Sequence, residues 1–186
     1  MKIDMNEYRN TRATRATGGI DRPVAGAYEF VITRVEDTVS KAGNPMLKCE
    51  IDIAAGEYKD FAAETAERAG FWPLTLFLAY GSKKSLPTFK HKMQAIESAN
   101  SGFAFDGNEK KLLKKHFYAT LTEQHYTNQN GYDSWCNNIK DLITAEDYAA
   151  GRFKIPEPDY SESTQKPRTE EKTDHDPLDD LPFDFG

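Results

Sequence analysis

Leu47-Lys48-Cys49-Glu50-Ile51-Asp52-Ile53 alternates apolar and charged side chains without a break. A strand sets successive side chains on opposite faces, so Leu47, Cys49, Ile51 and Ile53 line one face that belongs in a core. Upstream, Lys41-Ala42-Gly43-Asn44-Pro45 reads as a turn, Gly supplying unusual dihedrals and Pro fixing φ. Before it, Tyr28, Phe30 and Ile32 alternate with Glu29, Val31 and Thr33. Two half-buried strands around a turn make a hairpin, and the rest of the fold is built outward from it.

Order begins near Val24. Beyond the hairpin Gly56 marks another turn, and Glu57 to Ala63 is expected as a third strand. A short helix competes over Ala62 to Ala69, which is rich in Ala and Glu. Phe71 to Ala79 is expected to be helical, with Pro73 in its first turn. Gly81 to Ser85 interrupts it. Pro87 to Ala99 is a second helix with Phe89, Met93 and Ile96 on one face, stopped by Asn100-Ser101-Gly102. Leu113 to Thr122 reads as a strand with Phe117, Ala119 and Leu121 on one face and His116, Tyr118, Thr120 and Thr122 on the other. A polar turn over Asn128 to Gly131 precedes a last strand, Ser134 to Ile143, and a helical turn from Thr144 to Gly151. This order predicts a mainly β fold with helices. It fits a five-stranded Greek-key barrel of the OB type, with helices between strands 3 and 4. Other small α+β sheets share the order.

The chain of 186 residues carries a net charge of −6, but the charge is segregated. Residues 156–186 hold ten acids and three bases, and residues 1–155 hold 20 acids and 21 bases. Three regions follow: a basic N-terminal arm over 1–23, a folded body over 24–155, and an acidic tail over 156–186, with arm and tail expected to be disordered. The acidic tail would repel a polyanion; the nearly neutral body would not. In the arm, Arg9, Arg12 and Arg15 recur every three residues. That pattern suits a solvated, helix-prone terminus or a phosphate-contacting arm.

No apolar run reaches membrane-spanning length, and Met1 to Asn10 has no apolar segment of the secretory kind. Cys49 and Cys136 show no zinc-type spacing and read as free thiols of a reducing compartment, a disulfide being the other option. A cytoplasmic location, in a bacterial host cytosol, is the expectation. There is no P-loop, GxGxxG, HExxH or GxSxG, and His91, His116, His125 and His175 are scattered. The sequence therefore predicts no catalytic residues, no cofactor and no metal site.

What the body does carry is bases interleaved with aromatics. Arg34, Lys41, Lys48, Lys59, Lys83, Lys84, Lys114, Lys115 and His116 supply cations, and Tyr58, Trp72, Tyr118, Tyr126 and Trp135 supply rings. Single-stranded nucleic acid needs this mixture, cations for its backbone and flat faces for unpaired bases. The competing reading puts the rings in the core, and alternation does so for Phe30, Phe61 and Phe117. Tyr118, on the face opposite Phe117, is the better outward candidate.

In the tail, Asp179-Asp180-Leu181-Pro182-Phe183-Asp184-Phe185-Gly186 sets large apolar side chains among acids. Asp179 and Asp180 suit a basic rim, while Leu181, Pro182 and Phe183 suit an apolar pocket, with Pro182 lowering the ordering cost. As flexible coil, 31 residues carry this tip ~30 Å from the body. The alternative is a terminus that folds back on its own domain.

Asp179 to Phe183 resembles the acidic tip of bacterial single-stranded-DNA-binding proteins, which recruits replication, recombination and repair enzymes. In that family the Phe is normally last and its carboxylate takes part in docking. Here Asp184-Phe185-Gly186 follows, so Phe183 docks without the carboxylate or Phe185 joins an altered tip. Gly26 to Ile32, Lys41 to Leu47 and Gly56 to Lys59 resemble a family of phage and prophage proteins of Gram-positive bacteria, encoded beside replication and recombination genes. That resemblance covers roughly residues 24–80. It implies an OB-like barrel that coats single-stranded DNA; with only one barrel, strong binding would require a homo-oligomer or a cooperative array along the strand. The rivals are a protein adaptor or recombination mediator with little DNA binding, and a small nuclease or annealase.

Overall fold

The computed structural model describes residues 22–127 and 133–158, with 126, 127 and 133–135 given by their backbone alone. Five antiparallel strands form one sheet in the order β3-β2-β1-β4-β5, curled into a nearly closed, OB-like barrel. β1 (Gly26–Val39) and β2 (Pro45–Ile53) are the expected hairpin. Phe30 lies opposite Ile53 and Val39 opposite Pro45, with a register shift between Ile32 and Arg34. Inward residues match the alternation: Phe30, Ile32, Cys49, Ile51 and Ile53 are fully buried. β4 (His116–Thr127) pairs with the other edge of β1, and the Phe30 and Phe117 rings stack there with centroids 5.4 Å apart.

Two expectations are overturned between β2 and β4. Glu57 to Ala63 is not a strand: a turn leads into helix α1 (Phe61–Ala69). Asp52 decides this. Its carboxylate accepts the backbone N–H groups of Ala62 at 2.7 Å and Ala63 at 3.0 Å, satisfying donors that a helix start leaves open. Helix propensity in Ala-Ala-Glu-Thr-Ala-Glu then prevails, and Phe61, Ala62 and Thr65 are buried. Phe71 to Ala79 is not a helix either. Ile51 N–H donates to Leu74 C=O at 3.2 Å, and Thr75–Ala79 continues as strand β3 along β2. Leu74, Leu76 and Leu78 are buried while Phe77 is half exposed, so the period was two all along.

Helix α2 (Leu86–Ser98) fills the gap between the two edge strands, β3 and β5 (Asp133–Ile143). Met93, Ala95 and Ile96 enter the core. Lys92 Nζ donates to Phe77 C=O at 3.3 Å on β3, and His91 Nε2 lies 3.9 Å from Asp141 Oδ1 on β5. A 3-10 turn (Glu109–Leu112) buries Leu112 and delivers the chain to β4, which starts later and runs further than the expected Leu113–Thr122. The pairs from Thr122–Asn138 to Thr127–Asp133 lie beyond β1's last partner, Leu121. There β4 and β5 form a two-stranded ribbon past the barrel.

Thr120 and Thr122, expected on the outward face of β4, are buried. Residues after β5, including helix α3 (Ala145–Ala149), cross that face as a strap. Thr122 Oγ1 donates to Glu157 C=O at 2.9 Å. At the other end of the chain Pro23 is buried, its C=O accepting from Asn137 Nδ2 at 2.8 Å. Among the described residues no helix is long and apolar enough to cross a membrane.

Candidate nucleic-acid interface

On OB-type barrels the outer face of strands 2 and 3, with the loops at its two ends, is the usual seat for an oligonucleotide. Here inward Leu47, Cys49 and Ile51 turn Lys48 and Glu50 outward on β2. On β3 the outward residue is Phe77, 50% exposed and directly opposite Lys48. An exposed ring beside an ammonium is the pairing that base stacking and phosphate contact require. Phe77 was missed in the sequence because its large apolar side chain erased the alternation of β3. The signal that could have found it is the Leu74-x-Leu76-x-Leu78 spacing.

Arg34 shares this face. Its guanidinium lies 3.8 Å from Glu36 and 3.6 Å from Glu50, so the four charges Arg34, Lys48, Glu36 and Glu50 balance. Such exposed pairs are worth little, ~0–1 kcal/mol, and a phosphate can replace a carboxylate partner.

At the end of β3 the face gains cations. Gly81 lies against Pro45: a Cβ there would sit 2.3 Å from Pro45 Cδ. Only glycine permits that approach, and it brings the segment holding Lys83 and Lys84 beside the β1–β2 turn that holds Lys41. Ser82 and Ser85 exchange hydrogen bonds of 3.0–3.1 Å and hold this segment at the start of α2. Lys41, Lys83 and Lys84 are exposed and form no ion pair among the described residues.

The remaining candidates fall elsewhere. Lys114, Lys115 and His116 lie where the chain enters β4. Lys114 has φ 62° and donates its N–H to Ile32 C=O at 2.8 Å, a strained backbone in the service of the barrel. Lys115 Nζ sits 4.6 Å over the Phe103 ring, and His116 Nδ1 is 2.7 Å from Glu29 Oε1. Tyr118 is outward, as expected, but its ring is occupied: it stacks on Tyr148 of the strap at 4.1 Å, and Tyr148 stacks on Phe153. Burial, then the nearby Glu29, pushes its hydroxyl pKa up.

Tyr58 and Lys59 sit at the opposite end of β2 from Lys41. Tyr58 meets Tyr28 edge-on at 6.1 Å and packs on the core, and Lys59 lies 3.8 Å from Asp60. Trp72 is half-buried, with its Nε1 donating to Ile51 C=O at 2.9 Å. Tyr126 and Trp135 fall in the ribbon, opposite Ser134 and His125. Asp179, Asp180, Leu181, Pro182, Phe183 and Phe185 lie outside the described residues.

The candidates thus divide. Lys48 lies opposite Phe77 and Lys41, Lys83 and Lys84 stand at the end of the same face, while Trp72, Tyr58 and Tyr118 are engaged by the protein itself. Among the described residues no three His, Cys, Asp or Glu side chains are grouped to hold a metal ion. No family model matches the chain, and no curated protein matches it.

Proposed function

We propose that this chain is a non-catalytic protein that binds single-stranded DNA with little regard to sequence, in phage replication or recombination. The observation that carries the reading is Phe77, exposed at the centre of the outer β2–β3 face and flanked by Lys48, with Lys41, Lys83 and Lys84 at the face's end. Bases stack on the ring, and the lysines replace counterions along the backbone. The strand runs across β2 and β3 between the β1–β2 turn and the β4–β5 ribbon. The acidic tip, Asp179 to Phe185, reaches past the bound strand to recruit replication and recombination enzymes. The phage setting rests on the sequence resemblance over residues 24–80.

A second reading has an observation of its own. Arg34 is neutralised by Glu36 and Glu50, so the middle of the face is not basic, as an adaptor with weak DNA binding would have it. Titrating labelled oligo-dT separates the two. A coating protein binds at nanomolar to micromolar concentration, and Phe77→Ala weakens it. An adaptor does not bind even at low salt, and loss of the oligonucleotide on adding magnesium would indicate a nuclease.

A further inference from the structure

At the end of the barrel reached by the second half of β1 lies a groove of about 260 Å³. Its walls are apolar: Leu47, Leu86, Phe89, Phe105 and the Tyr80 ring. The rings meet edge-on, Tyr80 to Phe89 and Phe89 to Phe105 both at 5.8 Å, so the walls are packed. Its rim is acidic. Asp37 accepts a hydrogen bond from Tyr80 Oη at 2.7 Å through one oxygen, and Glu109 stands on the 3-10 turn. Neither carboxylate has an ion-pair partner among the described residues. An apolar slot rimmed by two carboxylates suits a segment that pairs an apolar side chain with arginines. It repels the acidic tip, where Asp179 and Asp180 precede Leu181.

The chain holds such a segment: Tyr8-Arg9-Asn10-Thr11-Arg12-Ala13-Thr14-Arg15 has three arginines and no acid. It cannot lie along its own groove as a whole, because its Arg15 end is tethered too closely. The arm joins the body at Arg22–Pro23, beside β5 and the ribbon, and β1 then travels from Gly26 to Asp37, roughly 36 Å. Seven residues separate Arg15 from Arg22, a reach of ~25 Å at most, and ten separate Arg12 from Arg22, ~36 Å fully drawn out; Tyr8, fourteen residues away, reaches ~50 Å, so Tyr8 spans the distance but Arg15 does not. A neighbouring copy has no such limit, because its arm and this groove lie at opposite ends of the barrel. We propose that residues 8–15 of one copy dock in the Tyr80–Phe89–Phe105 groove of the next, with Tyr8 in the slot and the arginines on Asp37 and Glu109. The contact joins two different surfaces, arm and groove, so copies can add one after another into a row, unless the rotation between them closes a ring or two copies exchange arms. It stands apart from the DNA reading and needs no nucleic acid to form.

The test is sedimentation of the full chain without DNA, across a concentration series. Wild type is expected to form a graded series of oligomers. Reversing the arm (Arg9→Glu, Arg12→Glu, Arg15→Glu) or the rim (Asp37→Lys, Glu109→Lys) weakens association at least tenfold. Mixing the two reversed proteins restores one contact, acidic arm on basic rim. The arm variant leaves the described fold untouched, so its result stands even if the rim variant is unstable. Wild type that stays monomeric, or arm-reversed protein that associates like wild type, overturns the proposal. So does association that vanishes on deleting Asp176 to Gly186, since that makes the tip the occupant.

Discussion

Lys48 and Phe77 stand opposite each other on β2 and β3, both pointing away from the core. Nothing in the barrel needs Phe77 there: half its surface is in water while Leu76 and Leu78 beside it do the packing. Phe77→Ala is therefore expected to change stability by about 0.5 kcal/mol or less. Affinity for oligo-dT should fall roughly 5- to 150-fold, the loss of a stacking contact worth ~1–3 kcal/mol. Fluorescence polarisation and urea denaturation on the same variant measure both. Unchanged affinity would remove the ring from the interface.

Tyr118 gives the converse expectation. Its ring already lies on Tyr148, so Tyr118→Ala should cost about 1–2 kcal/mol of stability and leave DNA affinity within about twofold. The same two assays apply. A tenfold loss of affinity would mean that the strap yields the ring to DNA.

These two residues show what the sequence could and could not reveal. The β1–β2 hairpin was legible because every outward residue of Leu47 to Ile53 is charged, and alternation then has one reading. β3 was hidden because its outward residue is Phe77, which made Phe71 to Ala79 look uniformly apolar. α1 was hidden because its start is set by Asp52, ten residues upstream, and local propensity left helix and strand in competition. The outward direction of Tyr118 followed from Phe117. Its stacking on Tyr148 did not, since that contact depends on a strap that returns across β4. For the cations, sequence supplied the candidates but not their grouping, which rests on the close approach of Gly81 to Pro45.

Asp52 also makes a pH prediction. Burial raises its carboxyl above the ordinary 3.8, and the N–H groups of Ala62, Ala63 and Ile53 pull the other way with less effect. The folded chain then keeps this proton to higher pH than the unfolded chain. Between the two pKa values the native state binds more protons, so the contribution of Asp52 to unfolding free energy falls as pH rises through the window just above 3.8. Urea denaturation of wild type and Asp52→Asn across that window should show the wild-type advantage shrinking with pH. A growing advantage would contradict the raised pKa.

Deleting Asp176 to Gly186 removes an anion that competes with DNA for the lysines. Affinity for oligo-dT should stay the same or rise slightly, and capture of purified replication or recombination enzymes should be lost. A tenfold drop in DNA affinity on this deletion would show instead that the tail completes the fold.

The most direct test of the central claim is binding of full-length protein to labelled oligo-dT over a salt series, wild type beside Lys83→Ala/Lys84→Ala. The account predicts nanomolar to micromolar affinity that falls linearly in log–log form, with a slope of about −0.7 per phosphate contacted. The double variant should bind more weakly, with a slope shallower by about 1.4. No binding at low salt, or binding indifferent to salt, would contradict it.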